Sequence, residues 1–438
     1  MRKILISLSL CLLASPVLHA ENLVDIYKLA LANDPTFRAA KQEFLATREV
    51  KNQSRALFLP ALNITGNYSH LRQEYTFIGS PRDDKYISKN YGLNLKQVIY
   101  RYDYFVQYRE ANYKVAQASA NFNNAAQELI VRVAQRYFDM LGAMDNLDFA
   151  RAEKKAIAEQ LKQTKQRFDV GLTAITDVYE AQSRYDQSVA QNIAAENQLA
   201  ISRENLHEVI GQYPKSIAKL SAQTPLLKPE PEDIEKWTKI ASQQSLSLIA
   251  AEKAVQIARE EVNRQRAGHY PTLDLVASKT RSITEGGAFV SFTGKEQTDT
   301  RISLQFNLPI YQGGLVNSKT RQAAYQYSRA RELYERQRRA TENKTRSAYL
   351  NVQADISQVL AYKQALKSSR TALEATEAGY EVGTRTAVDV LNSRREVFRA
   401  ERDYAKSRYA YIIETLTLRQ AAGTLSDANL NALNHWLQ

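Results

Sequence analysis

Side chains able to do chemistry are present in this chain but never in a working arrangement. His70, His207, His269 and His435 are scattered and share no metal-ligand spacing. Gly294-Lys295 fails as a phosphate-binding loop, because Glu296 stands where a Ser or Thr would hold the metal and Phe289 where the first glycine would turn. Gly286-Gly287 and Gly313-Gly314 lack the strand and helix context of a dinucleotide fold and read as turns. The acids Glu230, Glu232, Asp233 and Glu235 lie among prolines, as expected of a solvated linker rather than of a catalytic acid and base. No catalytic residue, metal or cofactor follows from these patterns, and none is expected.

The polar residues with more to offer lie beside two glycine turns. Asp177 follows Val170-Gly171-Leu172-Thr173, and Asp389 follows Val382-Gly383-Thr384-Arg385. An Arg fork and a carboxylate make a directional link that competing contacts can undo. On a solvated helix turn the same pair carries little energy. Repetition is what sets these residues apart.

Phe58-Leu59-Pro60-Ala61-Leu62 recurs as His269-Tyr270-Pro271-Thr272-Leu273, an offset of 211. Val170-Gly171 returns as Val382-Gly383, Asp177-Val178 as Asp389-Val390, and Ile210-Gly211 as Ala422-Gly423, each at an offset of 212. A duplication this long means two homologous halves doing the same mechanical job, not a solenoid of short repeats. The organisation expected is a signal segment over residues 1–20, a first repeat over 21–211, an inter-repeat segment over 212–240, a second repeat over 241–423 and a tail over 424–438.

Arg2 and Lys3, the apolar run Ile4 to Leu13, and Leu18-His19-Ala20 have the form of a secretory signal, with Glu21 as the expected mature start. The single cysteine, Cys11, falls inside that signal, so no disulfide is expected in an oxidising compartment. No later segment approaches the roughly 18 consecutive apolar residues of a spanning helix, so entry into a membrane requires strands. The formal charge is +12, and +10 without Arg2 and Lys3. With a secretory signal that surplus reads as a basic solvated surface, and no nucleic acid partner is expected.

Between Arg101 and Phe168 there is no proline and one glycine, Gly142. Ala126, Ile130, Val133, Tyr137, Met140, Met144 and Leu147 step by four and three, a heptad seam, and Tyr349, Val352, Ile356 and Val359 repeat its second part. At about 1.5 Å per residue such a stretch spans roughly 100 Å as one helix. Tyr, Ala, Ser, Gln and Asn punctuate its faces, which fits helices packed side by side in a wall, and a two-stranded coiled coil fits as well. Before each long helix, strands are expected. Leu62, Ile64, Gly66 and Tyr68 alternate with polar neighbours, as do Tyr91, Leu93 and Leu95, then Leu273, Leu275 and Ala277, then Ile302, Leu304, Phe306 and Leu308. Gly79-Ser80-Pro81-Arg82-Asp83-Asp84 and the stretch from Glu285-Gly286-Gly287 to Gly294 read as surface loops. Pro60, Pro271 and Pro309 mark the boundaries of strand and helix. Open strand edges cannot face lipid and a membrane barrel needs about eight strands, so several chains must share one barrel.

With these pieces in place the chain resembles the TolC family of trimeric outer-membrane efflux and secretion ducts over about Glu21 to Leu433. The resemblance is carried by Glu21-Asn22-Leu23, HYPTLDLVAS from His269, NLPIYQGGLVNS from Asn307, QRFDVGLTAITDV from Gln166 and GYEVGTRTAVDVLN from Gly379, in order and within a duplicated frame. It implies a mostly α fold with β: a homotrimer whose twelve-stranded barrel, four strands per chain, lies in outer-membrane lipid and continues as a long helical coiled-coil tunnel in the periplasm. It implies an exit duct that passes drugs or proteins from an inner-membrane pump of RND or ABC type through a periplasmic adaptor. The turns Val170-Gly171-Leu172-Thr173 and Val382-Gly383-Thr384-Arg385 become the adaptor-contact tips. Segment 212–240, with its prolines, resembles the family's belt around the tunnel; on composition a plain exposed linker fits equally. The closing links carried over by motif are Asp177 with Arg385 and Tyr380, and Gln160 with Glu377. The constriction ring maps to Asp389 and to Asn392, where relatives carry a second acid. Two other readings remain open on the residues: a passive trimeric porin or surface adhesin, and a soluble periplasmic coiled-coil scaffold.

Overall fold

The computed structural model describes residues 20–77, 79–221, 224–286 and 296–437. The signal reading of residues 1–19 lies outside the described residues, as does the second surface loop from 287 to 294; of its first two residues, Glu285 ends the third strand and Gly286 takes φ +83°. Nine α-helices and four strands follow the chain as α1 (Leu23–Asn33), α2 (Pro35–Ala56), β1 (Ala61–Phe77), β2 (Ser80–Arg101), α3 (Tyr102–Asp169), α4 (Ile175–Ile210), α5 (Ile234–Gln244), α6 (Leu246–Arg266), β3 (Thr272–Glu285), β4 (Glu296–Asn307), α7 (Leu315–Glu381), α8 (Ala387–Ala421) and α9 (Asp427–Asn434), all among the described residues. No described helix is long and apolar enough to cross a membrane.

The chain packs as two compact units. One takes Ala39–Ala125 with Lys239–Lys344; the other takes the described residues up to Arg38, with Ala126–Thr238 and Thr345 onward. Each unit therefore draws on both sequence halves.

In the first of these units the strands form a single antiparallel meander in the order β1-β2-β3-β4. Register sets the alternating apolar residues across from one another: Leu62 opposite Leu95, Leu95 opposite Ala277 and Ala277 opposite Ile302. Because side chains alternate faces with period two, this places them on one side of the sheet. That side is open to the surroundings, with Ile64 84%, Ile302 74%, Leu304 64% and Phe306 65% exposed. The other face is polar. There Asp274 accepts from Lys96 Nζ at 3.2 Å and Arg101 Nη2 at 3.3 Å. The sheet's edges, β1 and β4, each have one neighbour.

The first surface loop is shorter than the sequence suggests. Ser80 to Asp84 belong to β2, paired with Phe77 back to Gln73, and only Gly79, at φ +76°, lies among the described residues of the turn. Pro81 is tolerated because this end of β2 has β1 on one side only; pairing with β3 starts at Ile87. The cross-strand pair of Arg72 Nη2 and Asp83 at 2.9 Å then holds polar residues in strand geometry. Where strands meet helices, aromatics gather: Phe58 packs on Tyr104 and Phe105 with centroids at 6.2 and 5.0 Å, and Tyr102 on Tyr270 at 4.9 Å. Such clusters suit the boundary between lipid and water.

The second unit is built on α3. Val133, Tyr137, Met140 and Leu147 are buried, but so are Leu129, Ala134, Phe138 and Leu141, so the buried surface is wider than a heptad seam. The reason is that terminal segments cover it. Glu21 bridges to Ile217 and Leu220 to Leu437. The Tyr137 hydroxyl donates to the Ala218 carbonyl at 2.7 Å, and Gln127 Nε2 donates to the carbonyls of Gly423 and Leu425 at 3.2 and 2.9 Å. Asp34, 2% exposed, caps α2 by accepting from the Phe37 amide at 2.7 Å and binds Arg132 Nη2 at 2.6 Å. Tyr409 donates to Asp145 Oδ2 at 2.6 Å, and burial pushes the Asp145 carboxyl up despite that bond.

Asp355 on α7 is less well served. Burial first, and then the Glu414 carboxylate, push its pKa up to about 6, and its Oδ2 is buried with no hydrogen-bond partner. A carboxyl raised above its unfolded value of about 4 binds an extra proton in the folded state, so stability is gained as pH falls from about 6 to about 4. At neutral pH the ionised group is a cost. Asp355→Asn should therefore stabilise the fold at pH 7 by ~1 kcal/mol once partial exposure is discounted, and so raise the thermal midpoint in detergent. It should also remove the wild type's gain between pH 6 and 4, which differential scanning calorimetry at both pH values would read.

Candidate functional site at the helix tips

Two helical hairpins, α3–α4 and α7–α8, turn in the same way. The amide of Gly171 donates to the Phe168 carbonyl at 2.9 Å and that of Leu172 to Arg167 at 2.8 Å; Gly383 donates to Tyr380 at 3.1 Å and Thr384 to Gly379 at 2.8 Å. Both are Schellman closures, which need a left-handed residue, and Gly171 and Gly383 take φ of +76° and +80°. The reversal leaves apolar side chains on the outside: Val170, Leu172 and Val382 are 68%, 70% and 76% exposed. Thr173 is half-buried and Thr384 and Arg385 are exposed.

The return helices open differently. Thr386 caps α8, accepting at Oγ1 from the Asp389 amide at 3.2 Å, while Asp389 Oδ2 accepts from the Thr386 amide at 2.9 Å and hydroxyl at 2.8 Å. These bonds to Thr386, and then the charge of Arg385, hold the Asp389 carboxyl below the usual carboxylate range. In α4 the capping position is Ala174, which has no side-chain oxygen, and Asp177 accepts instead from the Thr173 hydroxyl. Both acids stand in the first helical turn, where the dipole favours negative charge.

Gln160, Asp177, Tyr380 and Arg385 line one cavity of about 400 Å³, together with Arg167 and Arg184. Four of the polar residues expected from the sequence are thus brought together, while Glu377, Asp389 and Asn392 are not among the cavity's lining, and the expected links are not made within one chain. Asp177 bonds Thr173, and the Tyr380 hydroxyl accepts from Arg167 Nη1 at 2.7 Å. Glu377 pairs with Arg394 at 2.7 Å rather than with Gln160. Asn392 Oδ1 accepts from Arg184 Nη1 at 2.9 Å. Arg385 folds back over α7, where a Cβ on Gly379 would meet its Cγ at 2.8 Å, so glycine provides the room.

Arg167 and Arg184 are the residues that sequence reasoning passed over. At an offset of 212 they correspond to Gly379 and Glu396, so the duplication that exposed the tips carries no copy of either arginine. Among the described residues there is no group of His, Cys, Asp and Glu that could hold a metal ion.

A family model described as outer membrane efflux protein matches residues 26–212 and 237–424. The chain is 38% identical over 441 residues to outer membrane protein TolC of Vibrio cholerae serotype O1, covering 100% of this chain and 99% of that protein. It is 31% identical over 418 residues to alkaline protease secretion protein AprF of Pseudomonas aeruginosa, covering 94% and 86%. Among solved structures, the Campylobacter jejuni CmeC outer membrane channel aligns with a TM-score of 0.78 at 16% identity, over 95% of this chain and 90% of that one. The chain therefore belongs to the outer membrane efflux protein family, as an outer-membrane exit duct of efflux and/or type I secretion systems whose fold joins a trimeric β-barrel to a periplasmic helical tunnel.

Proposed function

We propose that this duct receives cargo from an energised inner-membrane pump, of RND or ABC type, through a periplasmic adaptor seated on the two glycine tips. It opens when polar links among Gln160, Asp177, Glu377, Tyr380 and Arg385 are broken. The observation that carries this reading is the shared cavity, where four of these five residues from two hairpins meet beside exposed Val170, Leu172 and Val382. Apolar groups left bare at a tight turn suit a partner surface. Links unmade within one chain are available to neighbouring chains, which in a trimer approach around a common axis. Segment 212–240 and the tail 424–438, which bridge to each other and to Glu21 and accept hydrogen bonds from Tyr137 and Gln127 of α3, act as a belt that braces the helices. Asp389 forms the constriction; with Asn392 in place of a second acid, the ring carries three carboxylates instead of six, and cation preference is correspondingly weaker.

For the gate, Tyr380→Phe with Arg385→Ser removes both proposed partners of Asp177. Each exposed link is worth about 1 kcal/mol after screening, so the closed population should fall and single-channel conductance in planar bilayers should rise several-fold. Conductance equal to wild type would remove these residues from the gate.

For docking, the turn glycines offer a clean substitution. Nothing lies within 4 Å of a Cβ built at Gly171 or Gly383, so Gly171→Val and Gly383→Val meet only left-handed backbone strain, of ~1–2 kcal/mol. Trimers should persist while export of a drug or of a type I secretion substrate is lost. Normal export by both variants would place the adaptor elsewhere.

A further inference from the structure

The apolar side of the sheet ends before the strands do. Its row of Leu62, Leu95, Ala277 and Ile302 carries no charge. One row further from the helices Lys279 stands opposite Leu93; in the next Arg281 stands opposite Tyr91, and in the one after that Lys89 stands opposite Tyr68. All of these lie on the apolar side, since each is an even number of residues from Leu62, Leu95 or Ala277. Tyr68 and Tyr91 are 66% and 54% exposed, and Lys279 and Arg281 are exposed as well. The reverse side of the same rows on β2 and β3 is uncharged, pairing Asn94 with Ser278, Gly92 with Thr280 and Asn90 with Ser282. On these two strands the change from Leu and Ile to Tyr with Lys and Arg therefore belongs to the outward face.

Strand geometry gives the height of these cations. β2 runs into α3 at Arg101, opposite Thr272, so that end of the sheet is the periplasmic one. From Thr272 to Arg281 β3 advances nine residues. At about 3.4 Å per residue and a tilt of about 40° that is a climb of roughly 23 Å, against an apolar band of about 25 Å. Arg281 and its neighbours thus stand where the headgroups of the outer leaflet begin. A Lys at that level lays its methylenes along apolar surface and turns its ammonium toward the headgroups. Two of the three cations already have carboxylates: Lys89 Nζ lies 2.8 and 2.9 Å from the Glu285 oxygens, and Arg281 Nη2 lies 2.7 Å from Glu296 Oε1. Lys279 makes no ion pair among the described residues, and Arg281 keeps the rest of its fork. Two residues apart on one face, they are separated by about 7 Å at Cα, which lets both long side chains converge on one tetrahedral anion. Phosphate suits them because it accepts from a guanidinium fork and an ammonium at once.

We propose that Lys279 and Arg281, beside Tyr91, bind the phosphate group of an anionic lipid in the outer leaflet, one site on each chain. The acyl chains of that lipid lie against Leu93 and Ile64, so charge and apolar contact act on the same molecule. Such sites repeated around the trimer fix the height of the barrel in the membrane. They are independent of how the helix tips work.

Native mass spectrometry of the trimer, released from an uncharged detergent and titrated with diphosphorylated lipid A, compares that lipid with the same glycolipid stripped of its phosphates. Wild type should retain one lipid A per chain and prefer it to the stripped form roughly tenfold or more. Lys279→Gln with Arg281→Gln should remove the preference, Lys279→Arg should keep it, and Lys41→Gln with Arg48→Gln on α2 should leave it unchanged. A second measurement needs no variant: the preference of wild type should weaken as ammonium acetate rises. Equal binding of the two lipids by wild type, a preference that survives in the double Gln variant, or no response to salt would overturn the proposal. Displacement of lipid A by inorganic phosphate at matching concentration would overturn it too, since the site would then take a free anion and not a lipid headgroup.

Discussion

A sheet whose apolar side faces lipid cannot end in an open edge. Every backbone N–H and C=O left unpaired in hydrocarbon costs several kcal/mol, and this chain supplies a meander whose β1 and β4 edges have one neighbour each. The apolar row through Leu62, Leu95, Ala277 and Ile302 fixes which face meets lipid, because a one-residue slip would turn that row inward. Closure by neighbouring copies follows, and in the family's trimeric fold it gives threefold symmetry and a shared lumen. The duplication in the chain then makes each trimer present its helical hairpins in two alternating kinds.

The two kinds are alike in backbone and unlike in side chains. Gly171 and Gly383 close their helices by the same pair of hydrogen bonds, yet Thr386 caps α8 while Ala174 leaves α4 without a side-chain cap. That difference frees Asp177 for other partners and ties Asp389 to its own helix start. Symmetry at the level of the fold therefore coexists with asymmetry where the polar links are made. Arg167 and Arg184 deepen that asymmetry at the tips, since each reaches from the first hairpin to the second and neither is repeated at the matching position of the second half.

What could be read from the residues was whatever repeats with a fixed period. Alternation in Leu273, Leu275 and Ala277 identifies a strand, and the uninterrupted stretch after Arg101 identifies a helix, because both signals are local. Ser80 to Asp84 misled for the same reason: Gly, Ser, Pro and Asp read as a loop, while pairing with β1 and the Arg72 bond to Asp83 are long-range facts that override propensity. At the tips, residue types and the glycine turns were legible, but the partners were not. Tyr380 finds Arg167 across 213 positions and Asn392 finds Arg184 across 208, distances over which no sequence spacing constrains a side chain. The buried width of α3 was likewise hidden, since Ala218, Gly423 and Leu425 cover it from remote segments.

The central claim is that the sheet is a fraction of a barrel completed by other copies, and the mass of the conducting species tests it most directly. Native mass spectrometry of the detergent-purified protein, on the fractions that form channels in planar bilayers, should give three chains per complex. A monomer that is stable in detergent and conducts alone would contradict the account, because its two strand edges would then have to face lipid unpaired.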